Sequence, residues 1–214
     1  MVRLHKLLLV MCLLSAGAVQ ADSVLSVPAN FKNEAQRWNR FADDLYTLHK
    51  KRIDGKSLEI KERMGGYFRQ KNFYKEQSFY DKKTGRLLSR ILWEARKPEN
   101  IHVIQVFFYD KKGRPKYDYA ASFRIADHDD PSTTEISLFD YPKGLRAFRQ
   151  FNASNEIIYE DCEGKWKGKP VSIKLDVVDL EEYRDEPNTI MTTLQYSACF
   201  GRLPKTVVNY IPPK

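Results

Sequence analysis

Basic residues recur in four of the turn segments that separate the apolar runs of this chain. The turns cover residues 81–86, 110–115, 141–144 and 164–170. Ten basic residues lie in them, namely Lys82, Lys83, Arg86, Lys111, Lys112, Arg114, Lys143, Lys165, Lys167 and Lys169. Lysine and arginine at hairpin tips keep a sheet soluble, and when clustered they attract anions over roughly one Debye length, about 8 Å at physiological salt. The pattern indicates an anion-binding surface, provided that the turns lie together.

The strand pattern predicts that they do. In an up-and-down meander, alternate turns fall at the same end of the sheet, so these four turns share one end. The other end then holds acidic residues, namely Glu99, Asp127, Asp129 and Asp130. A single crossover connection would break this alternation.

Motifs of catalysis are sparse. The sequence has no Gly-x-Ser-x-Gly, no His-Glu-x-x-His and no glycine-rich phosphate loop. Asp127, His128, Asp129 and Asp130, with Glu135 nearby, resemble a metal or general-base site, but the run breaks at Pro131 and lacks the central glycine of a calcium loop. We interpret this run as a solvated turn and expect no metal and no other cofactor.

Cysteine usage predicts one disulfide. Cys12 lies in the apolar run of the leader, which leaves Cys162 and Cys199 as an even pair. In an oxidising compartment such a pair is most simply a disulfide. The chain has no Cys-x-x-Cys, which disfavours a thioredoxin-type redox site.

The first 21 residues have the form of a cleaved secretory signal peptide. A basic head with Arg3 and Lys6 precedes the apolar run from Leu7 to Leu14, and small residues end at Ala21. Eight apolar residues are too few for a membrane anchor, which needs about 20. Without the leader the formal charge falls from +8 to +6 because two lysine or arginine residues are removed. We expect a periplasmic or secreted protein with no integral membrane segment after cleavage.

The remaining residues 22–214 fit a single exported domain. Its clearest periodic element is an amphipathic helix over about residues 30–49. The apolar residues recur at steps of three and four, and they are Phe31, Ala35, Trp38, Phe41, Leu45 and Leu48. Asp54 and Gly55 are a natural stop for this helix.

From about Phe73 onward, short aromatic and β-branched runs alternate with turns, which indicates an antiparallel meander. Residues 101–109 are apolar on both faces, so this strand is expected to be central and covered on both sides. In the strand around Tyr119, the intervening Lys116, Asp118 and Ser122 predict a wet face. The fold class is therefore α+β, with the N-terminal helix packed on a large antiparallel meander, or on a curled half-barrel or two-sheet sandwich.

The C-terminal quarter is less regular. Residues 189–200 fit either a helix face or an alternating strand, and their β-branched residues favour strand. The acidic stretch of residues 179–187 is interpreted as an exposed connector, and residues 207–211 as a last edge strand.

Together these features favour a non-catalytic binding or accessory protein of the cell envelope that engages an anionic component or a protein partner through the basic hairpin tips. Tyr74, Tyr80 and Tyr109 near basic residues are also typical of nucleic-acid binding, but export argues against a nucleic acid. Two alternatives stay open. One is a small envelope hydrolase with its site on the open face of the sheet, and the other is a carrier of an apolar ligand.

Overall fold

The computed structural model describes residues 29–67, 70–123 and 131–210. The proposed signal peptide of residues 1–21 lies outside these ranges, as does the acidic run of residues 127–130. Both therefore remain predictions.

Helix α1 spans Ala29–Ile53 and extends four residues beyond the predicted range of 30–49. Trp38, Phe41 and Leu45 are buried on its apolar face, as their spacing predicts. The helix ends where the sequence predicts an end. The backbone N–H of Asp54 donates to the carbonyl of Lys50, and Gly55 follows with φ of 65°.

Within the described residues, nine antiparallel strands follow α1 and form one sheet in sequence order, as a meander requires. They are β1 (Leu58–Tyr67), β2 (Gln70–Asp81), β3 (Arg86–Glu94), β4 (Lys97–Tyr109), β5 (Pro115–Phe123), β6 (Pro131–Asp140), β7 (Leu145–Phe151), β8 (Ile157–Trp166) and β9 (Lys169–Leu175). The first and last strands do not pair with each other, so the sheet is open. One continuous sheet replaces the two-sheet sandwich that the sequence left possible.

Helix α1 packs on one face of this sheet, and its main contacts are with β3 to β6. This helix side holds Ile91, Ile104 and Ile136, and all three are fully buried. Ile91 on β3 pairs with Ile104 on β4, and Ile136 lies two strands further along, on β6. The expectation that β4 is covered on both faces was wrong. No described helix packs against its other face, where Gln105 and Phe107 are only partly buried.

The C-terminal segment corrects three predictions. The acidic connector begins as helix α2 (Val177–Tyr183), because the Asp176 carboxylate accepts from the backbone N–H groups at its start and the Asp179 carboxylate accepts from the Asp176 backbone N–H. Residues 189–200 form a short 3₁₀ turn and helix α3 (Leu194–Phe200) rather than a strand. The predicted edge strand at 207–211 is wrong over its described residues, because Val208–Tyr210 is a 3₁₀ turn.

Two interactions fasten α3 to the helix side of the sheet. Cys162 on β8 and Cys199 on α3 form the predicted disulfide, with a Cα–Cα distance of 6.0 Å. Next to it, the Arg149 guanidinium donates to the Glu160 carboxylate at 2.6 Å, and the Tyr196 hydroxyl of α3 donates to the same carboxylate at 2.7 Å. Tertiary packing at this point outweighs the strand propensity of residues 189–193.

Candidate functional site

The sequential meander brings the four basic turns to one end of the sheet, which we call the basic end. Each turn joins an even-numbered strand to the next odd-numbered one, so all four lie at the same end. The eight lysines predicted there are exposed, and the two arginines are partly buried. Of the predicted acidic residues at the opposite end, Glu99 is described, and it is exposed near the start of β4.

A repeated turn motif builds two of these hairpins. In the β2–β3 turn the Asp81 carboxylate accepts from the backbone N–H of Lys83, and in the β4–β5 turn Asp110 accepts likewise from Lys112, both at 2.9 Å. The glycine that follows each pair has positive φ, 67° at Gly85 and 82° at Gly113. Because the aspartate side chain closes its own turn, the two consecutive lysines of each turn are held at the tip, where they are exposed.

Sequence reasoning missed the contribution of α1 to this end. Lys50, Lys51 and Arg52 occupy the last turn of the helix. The chain then crosses to β1, where the Lys56 ammonium lies 3.7 Å from the Asp81 carboxylate and the Ser57 carbonyl accepts from the backbone N–H of Lys82. The basic tail of the helix was visible in the sequence, but only the docking of α1 on the sheet shows at which end it lies.

The two arginines at the basic end link neighbouring hairpins. The Arg86 guanidinium lies 5.6 Å from the ring centroid of Tyr109, and the Arg114 guanidinium lies 4.1 Å from that of Tyr141. Arg114 also forms an ion pair with Asp110 at 2.7 Å. Hydrogen bonds from the backbone and side chain of Arg114 hold the pKa of Asp110 below its usual value. Arg86 and Arg114 therefore hold neighbouring hairpins together, and the exposed lysines carry the positive charge that a partner can contact.

Two adjoining depressions open at the basic end, with volumes of about 650 and 490 Å³. Lys143 and Gly144 line both of them. The first also contains Arg114, Tyr141 and Arg146, whereas Lys165, Trp166 and Lys167 line the second. Basic groups around concave surfaces are suited to hold an anionic group, because several cations act on it at once.

A second concave surface crosses the sheet face opposite α1. The sequence left a site on this open face as an alternative but did not identify its residues. This open-face groove has a volume of about 340 Å³ and takes residues from the six consecutive strands β3 to β8. Its polar residues include Arg90, Gln105, Asp118, Ser137, Gln150 and Asp161, and its aromatic residues are Phe107, Phe139, Phe148 and Tyr159. Arg146 lines both this groove and the larger depression of the basic end.

Asp118 lies at the centre of the groove. The alternation in β5 predicts a wet position, yet Asp118 is only 3% exposed. Its Oδ1 accepts a 3.1 Å hydrogen bond from Gln105, whose own Oε1 accepts from Arg90 at 2.6 Å. Burial raises the pKa of Asp118 to about 6, although hydrogen bonds from Gln105 and Ser137 oppose the change. Burial also raises the pKa of Glu135, which accepts from Gln150.

Among the described residues, no group of three or more His, Cys, Asp or Glu side chains is arranged to hold a metal ion. None of the helices within residues 29–67, 70–123 and 131–210 has both the length and the apolar character needed to cross a membrane. The basic end and the open-face groove each combine charged and aromatic side chains at a concave surface.

Comparison with known proteins adds no assignment to either surface. No protein-family model matches this chain, and neither a curated protein nor a solved structure shows significant similarity to it. The function must therefore be inferred from the chemistry of these two surfaces.

Proposed function

We propose that this protein is an exported, non-catalytic binding or accessory protein of the cell envelope that captures an anionic partner at its basic end. The observation that carries the proposal is the strand order. Because β1 to β9 follow one another without a crossover, four lysine-bearing turns meet at one end. The last turn of α1 adds Lys50 and Lys51 to them, and the segment between α1 and β1 adds Lys56.

The local geometry fits capture rather than catalysis. The eight lysines on the turns are exposed and lie on turns closed by their own side chains or by adjacent backbone. The two depressions provide concave surface between these tips, with Tyr141 and Trp166 as aromatic walls. The secretory leader predicted at residues 1–21 supports a partner among envelope anions such as lipid head groups, acidic cell-wall polymers or acidic proteins.

The test removes charge at the turn tips. Lys82, Lys83, Lys111 and Lys112 are replaced together by serine, and binding is measured to phosphatidylglycerol vesicles, to teichoic acid and to proteins cross-linked in the periplasm. We expect at least a tenfold loss of binding with an unchanged circular dichroism spectrum, because the turns are held by Asp81 and Asp110 rather than by the lysine side chains.

A matched control removes the same charge elsewhere. Lys71, Lys97, Lys174 and Lys205 are exposed and lie outside the four basic turns. Their replacement by serine lowers the net charge equally and should leave most of the binding intact. Equal losses in both variants would show that total charge matters and would refute a specific basic end.

A second candidate is a small hydrolase on the open face, and the buried carboxyl of Asp118 is the observation that favours it. A carboxylic acid with a pKa of about 6 in a concave site has the profile of a general acid. Hydrolysis of a glycoside, ester or phosphoester that is lost in Asp118→Asn would support this candidate over simple capture.

A further inference from the structure

We propose that the open-face groove is a binding site for a neutral oligosaccharide. This inference goes beyond capture at the basic end and does not depend on it, since the two surfaces use different residues apart from Arg146. Three features of the groove carry it, namely its aromatic rings, its unsatisfied acceptor and its charge balance.

The aromatic rings form a continuous apolar strip on a face that no described helix covers. Phe139 and Phe148 are paired across β6 and β7 with their ring centroids 4.9 Å apart, and Tyr159 on β8 follows at 5.9 Å from Phe148. All three are partly buried rather than covered. The C–H face of a pyranose ring is flat and apolar, so it packs on such a strip and removes it from water.

Beside this strip lie side chains that match sugar hydroxyl groups. Gln105, Ser137 and Gln150 line the groove. The Gln105 and Gln150 amides donate one hydrogen to Asp118 and Glu135, and each has a second N–H that can donate to a sugar hydroxyl group. Asp161 supplies the more specific signal. Within the described part of the chain its buried Oδ1 has no hydrogen-bond donor, while Oδ2 lies 3.5 Å from Arg146. A buried acceptor without a donor is costly, and a small rotation of the Asp161 carboxylate would bring Oδ1 to a hydroxyl group bound in the groove.

The charges of the groove favour a neutral ligand. Arg90 and Arg146 are matched by Asp118 and Asp161 among its lining residues, so neither an anion nor a cation gains from the whole site. The volume of about 340 Å³ lies near the lower end of the range for small-molecule sites, about 300 to 1,000 Å³. A short stretch of a neutral glycan is both small enough and rich enough in hydroxyl groups to fit.

The experiment titrates the full mature protein with neutral tetrasaccharides of glucose and of N-acetylglucosamine, with tetragalacturonate as the anionic comparison, using calorimetry and NMR shift mapping. We expect binding of at least one neutral probe, with shifts confined to β3 through β8. Phe148→Ala and Asp161→Ala should each weaken binding at least tenfold. Tyr46→Ala, which removes a ring from α1 on the opposite face, should leave binding unchanged.

Several outcomes would overturn the proposal. The first is that no neutral probe binds at millimolar concentration. The second is that tetragalacturonate binds more tightly than the neutral probes. The third is that the folded Asp161→Ala variant binds a neutral probe as tightly as the natural protein does. Should Phe148→Ala fail to fold, Asp161→Ala still decides, since it removes no aromatic packing. The lysine-to-serine variant of the basic end should bind the neutral probe normally, so failure of one proposal is distinguishable from failure of the other.

Discussion

The guanidinium carbon of Arg114 lies 4.1 Å from the ring centroid of Tyr141, and this contact joins the β4–β5 hairpin to the β6–β7 hairpin. The same guanidinium donates to Asp110 at 2.9 Å and so also braces its own turn. One planar cation thus fixes the relative positions of two lysine-bearing tips, which is the arrangement that capture at the basic end requires.

Replacing Arg114 with lysine should therefore destabilise the basic end although it preserves the charge. Lysine lacks the planar fork that stacks on Tyr141 while pairing with Asp110, and an exposed cation–π contact contributes about 0.5 to 1 kcal/mol. We expect the free energy of unfolding in urea to fall by about 1 kcal/mol. An unchanged unfolding midpoint would show that stacking contributes nothing to these hairpins.

The Asp118→Asn variant should be more stable than the natural protein at neutral pH. With a folded pKa of about 6 and an unfolded value near 3.9, ionised Asp118 costs the folded state about 3 kcal/mol above pH 6. Because this pKa is raised, the folded state binds the proton more tightly, so the penalty is absent below pH about 4 and grows as pH rises through 6. Asparagine keeps a hydrogen-bonding oxygen without the charge.

Urea unfolding at several pH values measures this effect. The stability difference between the two proteins should be near zero at pH 4 and largest above pH 6. Asp44→Asn, a change at an exposed position on α1, serves as the control and should shift stability little at either pH. A difference independent of pH would contradict the burial of a charge at Asp118.

The ion pair between Arg149 and Glu160 should be coupled strongly. Both side chains are buried, and Arg149 also donates to the carbonyls of Leu203 and Pro204. Removing one partner leaves an uncompensated buried charge, which costs about 3 to 5 kcal/mol. Arg149→Met should lose that much, and Arg149→Met with Glu160→Gln should recover part of it. Additive losses in the double-mutant cycle would disprove the coupling.

Breaking the disulfide should lower stability without removing the sheet. Cys162 and Cys199 enclose a loop of 36 residues, for which chain entropy gives about 4 kcal/mol. Urea unfolding of the Cys162→Ser and Cys199→Ser double variant, compared with the oxidised protein, measures this contribution. The same midpoint for both proteins would show that α3 is held by packing and by Tyr196 alone.

Local patterns in the sequence were sufficient for much of the fold. Periodicity located α1 around Trp38 and Leu45, turn chemistry located the hairpins at Asp81 and Asp110, and cysteine count paired Cys162 with Cys199. These features depend on residues close in sequence or on simple counting, so no tertiary information is needed to find them. Propensity failed at residues 189–200, where the cap at Thr193, the disulfide and the packing of Phe200 outweigh β-branching.

The amino-acid sequence by itself determined the positive charge and the lysine-bearing turns, and it predicts a secretory leader. Only the tertiary structure decided which other residues lie on the same surface as those turns. The reason is that the strand register and the docking of α1 depend on contacts between residues distant in sequence. The burial of Asp118 shows the same limit. Lys116 and Ser122 on the same face of β5 are polar, but Gln105 and Ser137 reach Asp118 from adjacent strands, and alternation along one strand carries no information about them.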